Sequence, residues 1–433
     1  MKSAAARNAT KAGLTRVVAA ILVVALGQSV RAADIKLAAG APRVESPAAG
    51  ETRTYRVALS SGQAAELSLR QDDAVGIELR WNADGEEPKT FRTEAGRESI
   101  VRTTLVADKP TIWKIAVAPS LPDKAFRYSI TLTSPHEATG KDRQLAAAAV
   151  ALAEAETLRG KADKQFATDA RTLYRKAVEA STNAGDSCGA RHAYVALAGF
   201  EHEIVDAAAQ KAAAQAALEQ PCESGIADRA LAERLLGSAS INQGDFAAGT
   251  RETERAVASF EETGDVYQQG IALRNLGLAY AESGEMEKAL AITHRALKAA
   301  ETVGDGKLLA LVRNDLAFMH NARGEFALAV DAYRQTLDTL GKNPYPMAEA
   351  VAWINLGIAY GQLGDGDQAM AAYAKGEKVA TSIDCWSCLA EIEVDRGDDL
   401  LDGGDLAHSE AAYKRALEIA KAHDLVRDRK SVV

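Results

Sequence analysis

From Glu51 to Thr133, apolar side chains fall on every second position: Tyr55, Val57 and Leu59; Leu67 and Leu69; Ile77 and Leu79; Trp113, Ile115 and Val117; Phe126, Tyr128, Ile130 and Leu132. Successive side chains of a strand point to opposite faces, so this period marks half-buried strands. The interruptions carry turn chemistry, at Ser61-Gly62, Asn82 to Gly85, Ala95-Gly96 and Pro119 to Pro122. About seven strands fit between them, which predicts a small antiparallel β-sandwich over 43–134. Asn82, Asp84 and Glu86 also suggest a calcium loop, but Arg80 stands where that template wants an acid, so a hairpin turn is expected. Beyond Pro135 the chain becomes Ala-rich and almost free of proline, and its apolar positions take a helical period.

The helical part repeats. Gly244-Asp245, Gly284-Glu285, Gly324-Glu325, Gly364-Asp365 and Gly404-Asp405 are each 40 residues apart. Leu236, Leu276, Leu316 and Leu356 precede these turns at one spacing and are followed by Gly237, Gly277, Ala317 and Gly357, where small side chains let helices approach closely. Behind the turns, Ala289, Ala329 and Ala369, then Tyr333, Tyr373 and Tyr413, form the stripe of a second helix that packs on the first. Each unit therefore reads as a helical hairpin. Gly264-Asp265 and Gly304-Asp305 end second helices with a residue free to turn left-handed, and the acid then opens the next helix.

The segments LRNLGLAYAESGEMEKALAITHRAL from Leu273 and INLGIAYGQLGDGDQAMAAYAKG from Ile354 resemble the tetratricopeptide (TPR) repeat. The usual closing proline is missing and the period exceeds the common length of about 34, so longer helices are expected. Five units cover 226–424. ATDARTLYRKAVEASTNAGD, with Ala170, Tyr174 and Ala177 in the second-helix columns, and Cys188 to Gln220 extend degenerate hairpins over 142–225, making about seven units. The fold class expected is mostly α: a TPR-type α-α superhelix, a solenoid, preceded by the β-sandwich. The resemblance implies an inner wall of first helices that binds a peptide or protein, with Arg234, Arg274, Asn275, Leu278, Asn314, Phe318, Asn321, Asn355 and Ile358 facing the groove. Asn275 and Asn355 share a column with Asp315 and Asp395. An amide donates and accepts, so such a ladder holds an extended backbone without reading its side chains; the alternative is that the amides bond neighbouring helices and set the superhelix pitch.

AAGETRTYRVALSSGQAAELSLRQDDAVGIELRW resembles the β-sandwich ahead of the repeats in exported bacterial proteins of the CHAT type, and more loosely pre-peptidase domains. That resemblance implies a second reading, in which this chain is the recognition region of a caspase-like cysteine peptidase whose catalytic domain lies elsewhere. None of the four cysteines here falls in a matching motif. The tail Asp428 to Val433 is what a string resembling a common sequencing adapter encodes, so 428–433 is expected to be non-native and the natural gene to continue.

Residues 1–32 hold Lys2, Arg7, Lys11, Arg16 and Arg31, no acid, and an apolar run from Val17 to Leu26 that is too short to span a bilayer. With Val30-Arg31-Ala32 at the cleavage position this predicts a Sec-type signal peptide and a periplasmic or secreted protein with no stable membrane insertion afterwards. Losing those five positive charges takes the formal net charge from −9 to −14, which disfavours nucleic acid as a partner. Export also makes Cys188, Cys222, Cys385 and Cys388 candidates for disulfides. Cys188 starts a helix and Cys222 follows the end of its antiparallel neighbour, so they meet at one end of a hairpin. Cys385 and Cys388 close locally at a helix start, as a structural bridge or, alternatively, a redox pair.

No phosphate-binding loop, no Gly-x-Ser-x-Gly elbow and no His-Glu-x-x-His occurs, and the seven histidines are scattered. His320 stands in the aromatic column of Tyr280 and Tyr360, a packing position. No catalytic residue, metal site or cofactor is implied, and the sequence leaves the oligomeric state open. The expectation is a non-catalytic peptide-binding scaffold of the cell envelope.

Overall fold

A computed structural model describes residues 35–72, 75–92, 100–120, 124–159, 164–223, 225–423 and 425. The leader, the Ala95-Gly96 turn and the tail 428–433 lie outside the described residues. Ten strands come first: β1 (Ile35–Lys36), β2 (Arg43–Glu45), β3 (Arg53–Leu59), β4 (Gln63–Gln71), β5 (Ile77–Ala83), β6 (Lys89–Arg92), β7 (Ile100–Ala107), β8 (Thr111–Pro119), β9 (Tyr128–Leu132) and β10 (His136–Glu137). One sheet has the order β1-β3-β8-β5-β6; in the other, β4 pairs with β7 along one edge and with β9 and β10 along the other, and β9 pairs with β2. Every pairing is antiparallel except the two-residue β1–β3 ladder, which is parallel, a departure from the all-antiparallel expectation. In β3 the alternation is complete, with Tyr55, Val57 and Leu59 buried and Arg56 and Ala58 exposed. Register sets Tyr55 opposite Ile115 and Leu69 opposite Ile130, so both inner faces are apolar. The Tyr55 and Tyr128 hydroxyls meet at 2.7 Å between the sheets, each satisfying a phenol that would otherwise be stranded in the core at about 1–3 kcal/mol.

Fourteen helices follow among the described residues: α1 (Gly140–Arg159), α2 (Lys164–Asn183), α3 (Ser187–Glu203), α4 (Ala207–Glu219), α5 (Ile226–Asn242), α6 (Phe246–Thr263), α7 (Val266–Glu282), α8 (Met286–Val303), α9 (Gly306–Ala322), α10 (Phe326–Lys342), α11 (Pro346–Gln362), α12 (Gly366–Ser382), α13 (Trp386–Asp402) and α14 (Leu406–Ala422). They pack as seven antiparallel hairpins, each odd-numbered helix against the next. The turns work as the repeat requires. Gly244, Gly284, Gly324, Gly364 and Gly404 take positive φ, and Gly264 and Gly304 close α6 and α8 in the left-handed region. Asp186, Asp206, Asp245, Asp265, Asp305, Asp365 and Asp405 each accept a backbone N–H three residues on, filling one of the orphan donors at a helix start.

The sandwich is fixed to the helices rather than tethered. One apolar core runs from both sheets into α1 through α5. Helix α1 lies across β6 and β7, and Lys89 to Glu154 (2.6 Å) and Arg143 to Asp108 (2.7 Å) bridge the junction. Both cysteine pairs are at disulfide distance, Cys188–Cys222 with Cα atoms 4.9 Å apart and Cys385–Cys388 with 5.3 Å. No described helix is long and apolar enough to cross a membrane.

Candidate functional site

Each first helix from α3 to α11 touches the first helix of the next hairpin, while second helices pack on the first helix that follows them. Elements that approach on one side and splay on the other curve the stack, so α3, α5, α7, α9, α11 and α13 form the concave wall. The groove residues expected from the repeat columns all lie on these helices: Arg234 on α5; Arg274, Asn275 and Leu278 on α7; Asn314, Phe318 and Asn321 on α9; Asn355 and Ile358 on α11.

Their environments differ. Phe318 is the most open, 40% exposed despite being a large apolar ring, and Leu278 and Ile358 are half-buried one hairpin to either side. Asn275 and Asn355 are half-buried, and their amides have no hydrogen-bond partner among the described residues. The Oδ1 atoms of Asn314 and Asn321 are buried and equally unpartnered. Arg274 differs from the expectation of a side chain free to meet a ligand: its Nη2 donates to Asp315 Oδ1 at 3.2 Å, tying α7 to α9. Burial raises the Asp315 carboxyl and the Arg274 guanidinium lowers it, with burial prevailing. Arg234 is buried against the wall. His320, in the aromatic column, sets its Nδ1 2.6 Å from Glu325 Oε2.

Charge changes along the groove. At α13, burial pushes the Asp395 carboxyl up to about 7, and the neighbouring Glu391, Asp398 and Asp399 push it the same way. Its Oδ2 has no partner, and Tyr373 donates to Asp399 at 2.9 Å beside it. At the other end the concave wall runs into a cavity of about 460 Å³ between the sandwich and α1, α3 and α5. Leu231, Arg234 and Leu235 of α5 floor it, and Ile100 and Arg102 of β7 roof it. His192 lies at its side, its ring 5.8 Å from that of Phe91 and its Nδ1 3.2 Å from Asp228, whose charge raises the imidazole pKa against the effect of burial. Only Arg234 of this group was visible as a candidate in the sequence, because the cavity draws single residues from strands and helices far apart in the chain.

Comparison with known proteins agrees with this geometry. Residues 268–342, spanning α7 to α10, match a tetratricopeptide repeat model, and residues 350–381, in α11 and α12, match a second tetratricopeptide repeat model. No curated protein matches the sequence. Among solved structures, the apo form of RapI is similar at 15% identity and a TM-score of 0.52, over 63% of this chain and 96% of that one. Aspartyl phosphate phosphatase F from Bacillus subtilis is similar at 11% identity and a TM-score of 0.53, over 65% of this chain and 72% of that one. At such identities the likeness is one of fold, and the helical part of this chain is a TPR-type superhelix.

Proposed function

We propose that the concave groove binds an extended segment of polypeptide, with Asn275, Asn314, Asn321 and Asn355 holding its backbone and Leu278, Phe318 and Ile358 seating apolar side chains. The observation that carries this reading is that the amides of Asn275 and Asn355 have no hydrogen-bond partner among the described residues. Had their purpose been to set the pitch of the stack, they would bond the next helix, as Arg274 and Asp315 do; instead Asn275 and Asn355 leave donor and acceptor unused. Amides are suited to a peptide backbone because each offers both halves of its hydrogen-bonding pattern. Arg234 and Arg274 border the groove as positioning residues, Arg274 through its hold on Asp315. In this reading the chain is a non-catalytic scaffold of the cell envelope, exported by its leader; the two cysteine pairs at bonding distance support an oxidising compartment.

The test is selection of phage-displayed random peptides on the immobilised wild-type chain and on the Asn275→Ala, Asn355→Ala double variant. Enrichment on the wild type, with affinity lowered about tenfold or more by the double substitution, is expected from the loss of two hydrogen-bonding side chains. Equal enrichment on both proteins, or none on the wild type, rejects the reading.

A further inference from the structure

Helix α14 packs on α13 along one side, and its opposite side is open. In the hairpins before it, that side of the second helix meets the first helix of the next unit. Val257, Leu297 and Leu337 join apolar cores there, and Glu377 of the same column accepts from Arg396 of α13 at 2.9 Å. Phe260, Ala300, Leu340 and Ala380, three residues further on, are buried with them. Leu417 holds the first of these columns on α14 and is 50% exposed, and Tyr413 is half-buried where Tyr333 and Tyr373 are buried. Leu406, on the same side of the helix, is 65% exposed. The stripe also has a polarity. Glu410 precedes Leu417 by seven residues and Lys421 follows it by four, so at 3.6 residues per turn the three lie within about 40° of one another. Glu410 meets Lys414 of its own helix at 2.5 Å with both side chains largely in water, and Lys421 has no partner among the described residues. The Trp386 ring stacks on that of His423 at 3.8 Å and fastens the end of α14, so Lys421 stands on an ordered turn.

We propose that this face of α14 docks on the same face of a second copy of the chain, with the two helices antiparallel about a two-fold axis. A stripe with an acid at one end, a base at the other and leucine between them is complementary to itself when reversed. With Glu410 of each copy opposite Lys421 of the other, the axis passes between Arg415 and Ala416, and the two Leu417 side chains fall about 4.5 Å apart along the helix direction, close enough to cover each other. One operation therefore forms two ion pairs and removes two exposed leucines from water. The other end of the stack is already covered, since β6 and β7 lie on α1, so a head-to-tail contact that would build a filament finds no matching helix face. The contact uses no residue of the concave groove and stands independently of what the groove binds.

Sedimentation equilibrium of the purified chain, from micromolar to submillimolar concentration, tests this. A reversible monomer–dimer equilibrium is expected, and Leu417→Asp should abolish it while leaving the circular dichroism of the monomer unchanged. Glu410→Lys and Lys421→Glu should each raise the dimer dissociation constant about tenfold or more, because each sets like charges together at both ends of the contact. Mixing those two variants should restore association, since the mixed pair again opposes acid to base at both ends. A wild-type chain that stays monomeric throughout leaves the face to a partner of another kind and overturns the proposal. A dimer indifferent to Leu417→Asp, species that grow beyond the dimer, or a mixture of the two charge variants that associates no better than either alone also overturns it.

Discussion

A Cβ added to Gly357 would lie 2.6 Å from Cδ1 and 2.9 Å from Cζ of Tyr373, so the ring on α12 fills the space that a side chain on α11 would need. The same fit recurs in the last hairpin, where Tyr413 Cε1 stands 2.7 Å from the place of a Gly397 Cβ. Gly357→Ala should therefore destabilise the α11–α12 hairpin by about 1–3 kcal/mol through overpacking. Gly341→Ala on α10, where nothing lies within 4 Å, should instead stabilise by about 0.5–1 kcal/mol. Urea unfolding of both variants, with hydrogen exchange to localise the change, checks the opposite signs; equal effects would refute the packing argument.

Val205 occupies the left-handed turn position that glycine holds in most other hairpins, with φ of 61° and 82% of its surface exposed. A branched side chain is strained there and gains no burial in return. Val205→Gly is expected to raise stability by about 0.5–1 kcal/mol, part of the strain relief being offset by the freer unfolded chain. A lower melting temperature for the variant would contradict this.

Removing one partner of the Arg274–Asp315 pair leaves a buried charge behind. Arg274→Ala should cost about 3 kcal/mol, whereas Arg274→Met combined with Asp315→Leu should come close to wild type, since the pair's attraction mostly offsets its desolvation. A double-mutant cycle in chemical denaturation measures the coupling. A double variant as unstable as the single one would show that the pair's geometry, not its stranded charge, matters.

Asp395 makes stability depend on pH. In the unfolded chain its carboxyl titrates near the ordinary value of about 3.9, whereas in the folded protein it is raised to about 7. The folded state thus holds the proton more tightly. The contribution is complete below the unfolded value and is lost as pH rises through the folded one. Melting temperature should fall as pH rises from about 4 to about 7, the window set by these two values. Asp395→Asn should flatten that slope; an unchanged slope would assign the effect elsewhere.

Much of this architecture was legible locally. A period of two over Tyr55 to Leu59 can satisfy only a strand with one buried face, and turns spaced 40 residues apart can satisfy only a stacked repeat. The glycines at the left-handed positions, the aspartates that cap helices and the Cys188–Cys222 and Cys385–Cys388 pairs follow from single-residue geometry and from the ends of hairpins. That the column residues lie on first helices also followed, since residues at one repeat position share one element. What a side chain does on that wall did not follow. Arg274 and Asn275 are adjacent in sequence and on the same wall, yet one is bound to Asp315 and the other is unpartnered, because that depends on how far α9 is displaced along α7 in the stack. The short parallel β1–β3 ladder, the raised Asp395 carboxyl and the junction cavity belong to the same class. Backbone torsion and hydrophobic period act within a few residues and are written in the chain; charge pairing, desolvation and cavities arise between elements, and only the packed tertiary structure decides which groups meet.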